Sequence, residues 1–199
     1  MIGIIDYDAG NLHSVTNAVT HLGFKPRLIK RPEEMKEVEK IIFPGVGNAR
    51  KAVQSLQAEG MDKAIHEAIS DGKSLFGICL GMQLLLDYSE EGDTNALGII
   101  GGSVRKFEHN LKVPHIGWNA VVQSGNHPLF DGVPNYTYFY FVHSYFASTN
   151  ESQHTIGQTS YPDVFSSAIA KNKVSGVQFH PEKSGKYGLQ IIHNFCSMK

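Results

Sequence analysis

The sequence predicts an α/β fold: a mostly parallel central sheet flanked by helices, flavodoxin-like, with an antiparallel extension or small second sheet. Three observations predict it. Short apolar runs alternate with amphipathic stretches through the first half of the chain, the pattern of a parallel sheet covered on both faces. After Asp87, strand-like runs follow one another with only turn residues between them, which suits antiparallel pairing. The 199 residues, 41% hydrophobic and 19% charged, suffice for one sizeable core, and a single domain over residues 1–199 is expected. No internal repeat, low-complexity tract or linker interrupts the chain.

The elements read in order as follows. "IGII" is a strand and "NLHSVTNAVTHLG" a helix closing at Gly23. "KPRLIK" is a strand, and "RPEEMKEV" a helix with Pro32 near its start, where a missing N–H costs nothing. "KIIFP" is a strand, followed by the helices "NARKAVQSLQAEG" and "MDKAIHEAISDG". "SLFGI" is a buried strand, and Met82 to Leu86 a buried helix. The strand-like runs of the second half are "LGIIGGSVRKF", "KVPHIGWNAVV", "YTYFYFVHSYFAS", "HTIGQTSY" and "FSSAIAKN". "VSGVQFHPEKSG" is a last strand ending in a turn, and "KYGLQIIHNFCSMK" a closing helix.

Composition narrows the function classes. A net charge of −1 with no block of like charges argues against nucleic acid or an anionic membrane as the main partner. No apolar run reaches the roughly 20 residues of a spanning helix. The opening "MIGIIDYDAG" lacks a basic start and a long apolar stretch, so no signal peptide is expected. Two distant cysteines, Cys79 and Cys196, are no disulfide framework, and a reduced, cytoplasmic protein is the expectation. No metal and no cofactor is expected.

The residues that carry chemistry cluster in three stretches. "GICLG" sets Cys79 between Gly77 and Gly81 where a strand passes into a helix. Such a turn lifts one side chain over the sheet edge, at a helix N-terminus that favours an anion, and a thiol there gains thiolate character. A lone buried cysteine is usually only a small apolar side chain, so a base must accompany it. "HPE" supplies a candidate. In an extended segment held by Pro181, His180 and Glu182 would point the same way, letting the carboxylate fix the imidazole tautomer. "PGVG" follows a strand, and Val46 and Gly47, with Leu80 after the cysteine, offer backbone N–H groups to an oxyanion. All three stretches are expected beyond the carboxyl ends of strands, where open sheets place their sites.

"GICLGMQ" with "HPE", in this order and at this separation, resembles the class I, triad-type glutamine amidotransferases. The resemblance runs from Ile4 to the closing helix. "PGVGN", "GNLHSV", "PHIGWN", "FVHSY" and "HPEKSG" narrow it to the branch that serves a (β/α)8-barrel cyclase subunit in histidine biosynthesis. It implies that Cys79 attacks the side-chain amide of glutamine, that His180 moves the protons, and that Glu182 orients His180. It also implies that Gln83, His143, Ser144 and Tyr145 hold the substrate. The barrel partner would consume the ammonia, making imidazole glycerol phosphate and an aminoimidazole carboxamide ribotide. The resemblance places Asn11, Trp118, Tyr140 and Lys183 on the partner interface. Two rivals stay open at this point: a glutaminase serving another synthase, and a binding domain of the same fold with a dead site. The second would be expected to lose Cys79, His180 or Glu182.

Overall fold

The computed structural model describes residues 1–7, 11–107 and 112–198. Gly10 of "GNLHSV" and Lys199 of the closing stretch lie outside the described residues. The first half runs β1 (Ile2–Ile5), α1 (Leu12–His21), β2 (Pro26–Ile29), β3 (Lys40–Gly45), α2 (Ala49–Ala58), α3 (Met61–Ser70), β4 (Ser74–Cys79) and α4 (Leu80–Gln83). The second runs β5 (Tyr88–Ser89), β6 (Thr94–Asn95), β7 (Gly102–Lys106), β8 (His115–Gln123), β9 (Thr137–His143) and β10 (Tyr145–Thr149). It ends with β11 (Thr155–Ser160), β12 (Val164–Lys171), β13 (Val174–Val177) and α5 (Gly185–Ser197).

The sheet order is β2-β1-β3-β4-β13-β12-β10-β7-β5-β6. The strands from β2 to β13 are parallel. From β12 onward the pairing turns mainly antiparallel, and β11, β8 and β9 branch from β12 as a second ribbon. Of the two alternatives expected, the antiparallel extension is present, and the ribbon branches from it. The parallel strands read as continuous apolar runs because both of their faces are buried. Ile5, Ile41, Phe43 and Leu75 pack on the side of α2 and α3, with Val53, Leu56 and Ile65. Ile4, Ile42, Phe76 and Ile78 pack on the side of α1 and α5, with Val15, Val19, Ile191 and Phe195. Asn48 starts α2 by accepting the Lys51 N–H, a normal N-cap. The Lys40 ammonium closes α5 by donating to the carbonyls of Phe195 (3.0 Å) and Cys196 (2.7 Å), a cation at the negative helix end.

Several elements differ from the sequence reading. "RPEEMKEV" forms a 3₁₀ turn over Pro32–Glu37. The Glu34 carboxylate folds back onto the N–H groups of Lys30 and Arg31. The buried helix after Cys79 begins at Leu80 and ends at Gln83. The carbonyls of Leu84, Leu85 and Leu86 instead accept N–H groups from Leu97 to Ile100, so the chain there belongs to a packed loop. "LGIIGGSVRKF" becomes strand only at Gly102. "YTYFYFVHSYFAS" is two strands broken at Ser144, because β9 pairs with β8 while β10 pairs with β7 and β12. The last strand stops at Val177, and Pro181–Lys183 form a 3₁₀ turn. Glu182 thus reaches His180 from a turn, with Pro181 at its first position, and not from an extended segment.

Candidate active site

The site lies at the carboxyl end of β4, and ladder register explains what gathers there. On one side Gly45 of β3 pairs with Cys79, which brings the "PGVG" loop beside the thiol. On the other side Val177 of β13 pairs with Ile78, so Gln178, Phe179 and His180 emerge next to the same turn. Cys79 has φ 55° and ψ −111°, a strained backbone for a side chain with a Cβ, costing about 1–3 kcal/mol. The flanking glycines allow it. A Cβ on Gly81 would stand 1.8 Å from the Phe43 carbonyl oxygen, and one on Gly77 2.7 Å from the backbone of Met82. The glycines therefore let the turn sink between neighbouring backbones while the thiol stands above it.

His180 is buried, and its ring is clamped from the far side. Its Nδ1 lies 2.7 Å from Glu182 Oε1, and the Asn11 amide donates to the same oxygen. Glu182 Oε2 is buried without a hydrogen-bond partner among the described residues. Among the described residues His180 Nε2 makes no hydrogen bond of normal geometry, yet the Cys79 sulfur acts strongly on the ring. Burial opposes a charged imidazole, but Cys79 and Glu182 together outweigh it and push the pKa up to about 10. The backbone of the turn is fixed as well. His180 N–H donates to the Tyr140 carbonyl (2.9 Å), and the Ser184 hydroxyl donates to the His180 carbonyl (2.6 Å).

The cavity above Cys79 measures about 350 Å³, within the range of small-ligand sites. Val46, Gly47, Leu80, Gln83, His143, Ser144 and Tyr145 line it with Cys79 and His180. The structure thus brings Cys79, His180 and the oxyanion and substrate residues of the sequence reading to one cavity, with Glu182 behind His180 and outside the lining. Gly47 has φ 105°, a left-handed conformation that suits glycine.

The interface residues divide. Trp118 is 56% exposed on the outer face of the β8–β9 ribbon, edge-on to the half-buried Tyr140. Lys183 is exposed on the turn after His180. Asn11 instead turns its side chain inward to Glu182.

Sequence reasoning missed a polar network behind this cavity. The Tyr145 carbonyl is its hub. It accepts from Gln83 Nε2 (2.9 Å) and from His143 Nδ1 (2.8 Å). Gln83 Nε2 also donates to Gln178 Oε1 (2.9 Å), and Gln178 Nε2 donates to the Cys79 sulfur (3.7 Å). A carbonyl only accepts, so His143 carries its proton on Nδ1. Its Nε2 then accepts from His115 Nδ1 at 2.9 Å, and His115 Nε2 accepts from the Asn119 amide at 3.3 Å. Burial pushes the His143 pKa down to about 3 and that of His115 down to about 4. His115 is stacked between Tyr161 and Phe141.

Three further residues escaped the sequence reading. Glu91 lines the cavity and accepts the Ala49 N–H at 2.7 Å. Gln178 is fully buried beside the thiol. The Tyr7 hydroxyl is buried near Gly45 without a partner among the described residues, and burial, then Cys79, raise its pKa far above the ordinary range. Only a pattern of buried polar residues near the motifs could have signalled them.

A family model, glutamine amidotransferase class-I, matches residues 3–198. The imidazole glycerol phosphate synthase subunit HisH of Dehalococcoides mccartyi is 45% identical over 199 residues, covering 100% of this chain and 97% of its own length. The protein of that name from Methanocaldococcus jannaschii is 47% identical over 199 residues, covering 100% of both. Among solved structures, that of PurLQS from Thermotoga maritima superposes with a TM-score of 0.78 at 17% identity, covering 98% of this chain and 96% of that one. This last likeness is one of fold.

Proposed function

The chain belongs to the class-I glutamine amidotransferase family, and from that membership we infer that it works as the glutaminase subunit of an imidazole glycerol phosphate synthase, in histidine biosynthesis. Full-length identity near 45% to the HisH subunits supports the choice of synthase. The observation that carries the chemistry is His180 held between the Glu182 carboxylate and the Cys79 sulfur.

The steps follow from that arrangement. The Cys79 thiolate attacks the side-chain amide carbon of glutamine, and the oxygen becomes an oxyanion. The N–H groups of Val46, Gly47 and Leu80 are the candidates to receive it. The His180 imidazolium protonates the departing nitrogen, the C–N bond breaks, and ammonia leaves a glutamyl thioester. His180 then takes a proton from water, the hydroxide attacks, and glutamate departs as the thiolate is restored. Glu91 is the one carboxylate among the described residues lining the cavity, which suits the α-ammonium group of glutamine. Gln83 and the 143–145 segment would hold the rest of the amino-acid end.

Ammonia released into neutral water becomes mostly ammonium, which is not a nucleophile. A partner that takes it directly is therefore needed, and a (β/α)8-barrel cyclase subunit is our candidate. The exposed face of the β8–β9 ribbon supports a docking surface there: Ile116, Trp118 and Tyr138 are all more than half exposed, and aromatic anchors are common at interfaces. Two free cysteines suit a reducing, cytoplasmic setting. No helix among the described residues is long and apolar enough to cross a membrane.

The test is synthesis by the complex with the cyclase subunit. Cys79→Ala should lower the glutamine-dependent rate by about 10⁶ and leave the rate with added ammonium salt intact. Glutamine hydrolysis retained in that variant would sink the assignment.

A further inference from the structure

We propose that Gln178 is a further catalytic residue, whose side-chain N–H holds the Cys79 sulfur as an anion, both as the attacking group and as the leaving group of thioester hydrolysis. The proposal deepens the glutaminase reading above and rests on it.

The direction of the amide follows from the backbone. Amide nitrogen and oxygen are told apart only by their partners. The Tyr145 carbonyl can only accept, so the group of Gln83 that meets it at 2.9 Å is its NH₂. The same NH₂ meets Gln178 at 2.9 Å, so Gln178 presents its oxygen there. The other end of the Gln178 amide, its NH₂, must then face Cys79, where it stands 3.7 Å from the sulfur. A flipped Gln178 would set two donors against each other at Gln83 and leave a lone pair facing a thiolate. The polarity of one backbone carbonyl is thus passed through two buried side chains to the nucleophile.

Burial makes the contact consequential. Gln178 is 0% exposed, and Gln83 is 5% exposed. A buried amide costs free energy unless it is hydrogen-bonded, and Gln83 and Cys79 are the groups that its two ends meet. A donor beside the sulfur stabilises negative charge at two moments. It holds the charge on the attacking sulfur, and it eases departure of sulfur when the second tetrahedral intermediate collapses. A better-stabilised thiolate is a slightly weaker nucleophile but a better leaving group. Loss of the donor should therefore slow the second half-reaction more than the first, and the thioester should accumulate.

The experiment uses the full chain with its cyclase partner, in a Cys196→Ala background. Burial pushes the Cys196 thiol up to about 12 against the weaker opposing effect of Lys40, so its removal clears the signal without touching the site. Gln178→Met keeps size and removes the donor. Gln178→Glu keeps an oxygen for Gln83 but turns an acceptor toward the sulfur. Iodoacetamide should alkylate Cys79 about tenfold more slowly at pH 7 in the Met variant and more slowly still in the Glu variant. Acid-quenched turnover, read by mass spectrometry, should hold more glutamyl thioester per chain in the Met variant than in the wild type. A folded Met variant with wild-type alkylation and wild-type thioester levels would overturn the role. Should the Met variant not fold, unchanged alkylation in the Glu variant would overturn it. A wild type that forms no thioester would overturn the glutaminase reading itself.

Discussion

Two buried imidazole sites flank one cavity and are pushed in opposite directions. His180, at the end of the parallel half of the sheet, is raised to about 10. His143 and His115, on the antiparallel side, are lowered to about 3 and about 4. Burial works against the charged ring in all three. What differs is the company. His180 has a carboxylate at 2.7 Å and a reactive sulfur. His143 has a backbone carbonyl and another neutral ring, and the nearby His180 charge lowers it further. The molecule thus keeps mobile charge on the strand ends of the parallel half and builds the facing wall from neutral, tautomer-fixed groups. A neutral wall can hold a polar substrate without competing for the proton that His180 must deliver.

The carboxylate is the way to break this comparison, and it carries the largest effect. Glu182→Gln should remove one of the two groups that hold the His180 pKa up, leaving Cys79, so that pKa should fall from about 10 and glutamine hydrolysis should drop by about 10⁴. His180→Ala should be worse, close to the loss of Cys79. The charge state of His180 can be followed by NMR of ¹⁵N-labelled histidine. A His180 titration unchanged in Glu182→Gln, or an activity loss greater than that of His180→Ala, would show that Glu182 does not act through His180.

Stability against pH sharpens the same contrast, with an intermediate effect. The folded pKa of His180 lies above the ordinary 6.5. Its contribution is therefore complete below about pH 6.5 and is lost as pH rises through about 10. His143 and His115 have folded values below 6.5. As pH falls from 6.5 toward 4 and 3, the unfolded chain takes up protons that the native chain refuses, and stability is lost on the acid side. His115→Phe should flatten that acid limb in urea titrations between pH 4.5 and 7. At neutral pH it should cost about 1 kcal/mol for the hydrogen bond taken from His143, and lower hydrolysis only several-fold, by loosening the Tyr145 carbonyl. An unchanged acid limb would mean that the pair is not the titrating element.

The same division decides what was legible in the sequence. The parallel half could be read because its rules are local. Strands buried on both faces appear as apolar runs, and the turn at Cys79 needs glycines that stand beside it in sequence. His180 and Glu182 are two residues apart, so their pairing was visible even though the connecting backbone is a 3₁₀ turn. The antiparallel wall is made of long-range contacts. Gln83 meets Tyr145 across 62 positions and Gln178 across 95, and no local pattern announces such pairs. The resemblance puts Asn11 on the partner interface, and its contact with Glu182, 171 positions away, is one that no local pattern shows. The break at Ser144 was hidden for a similar reason: strand propensity continues through it, and only the change of ladder partner ends β9.

The smallest effect expected concerns Lys183, an exposed cation on the turn that follows His180. Lys183 follows Glu182 directly, and its N–H donates to the His180 carbonyl at 3.0 Å. Its side chain is exposed and has no ion-pair partner among the described residues. The nearby ribbon offers the opposite kind of surface, with Trp118 exposed and neutral. Its strand β9 is tied to the same turn, since the Tyr140 carbonyl accepts the His180 N–H. A cyclase that docks over both would meet apolar anchors on one side and a single cation on the other. An exposed ion pair contributes about 0.2–1 kcal/mol, so Lys183→Ala should weaken assembly by no more than about fivefold. It should also flatten the salt dependence of association, because rim charges act chiefly on encounter. The isolated chain should melt as before, since no internal contact of the side chain is lost. Titration with the cyclase subunit at low and high salt, following both binding and glutamate release, reads these effects. Identical affinity, salt slope and activation in the variant would leave Lys183 a surface charge with no part in the interface.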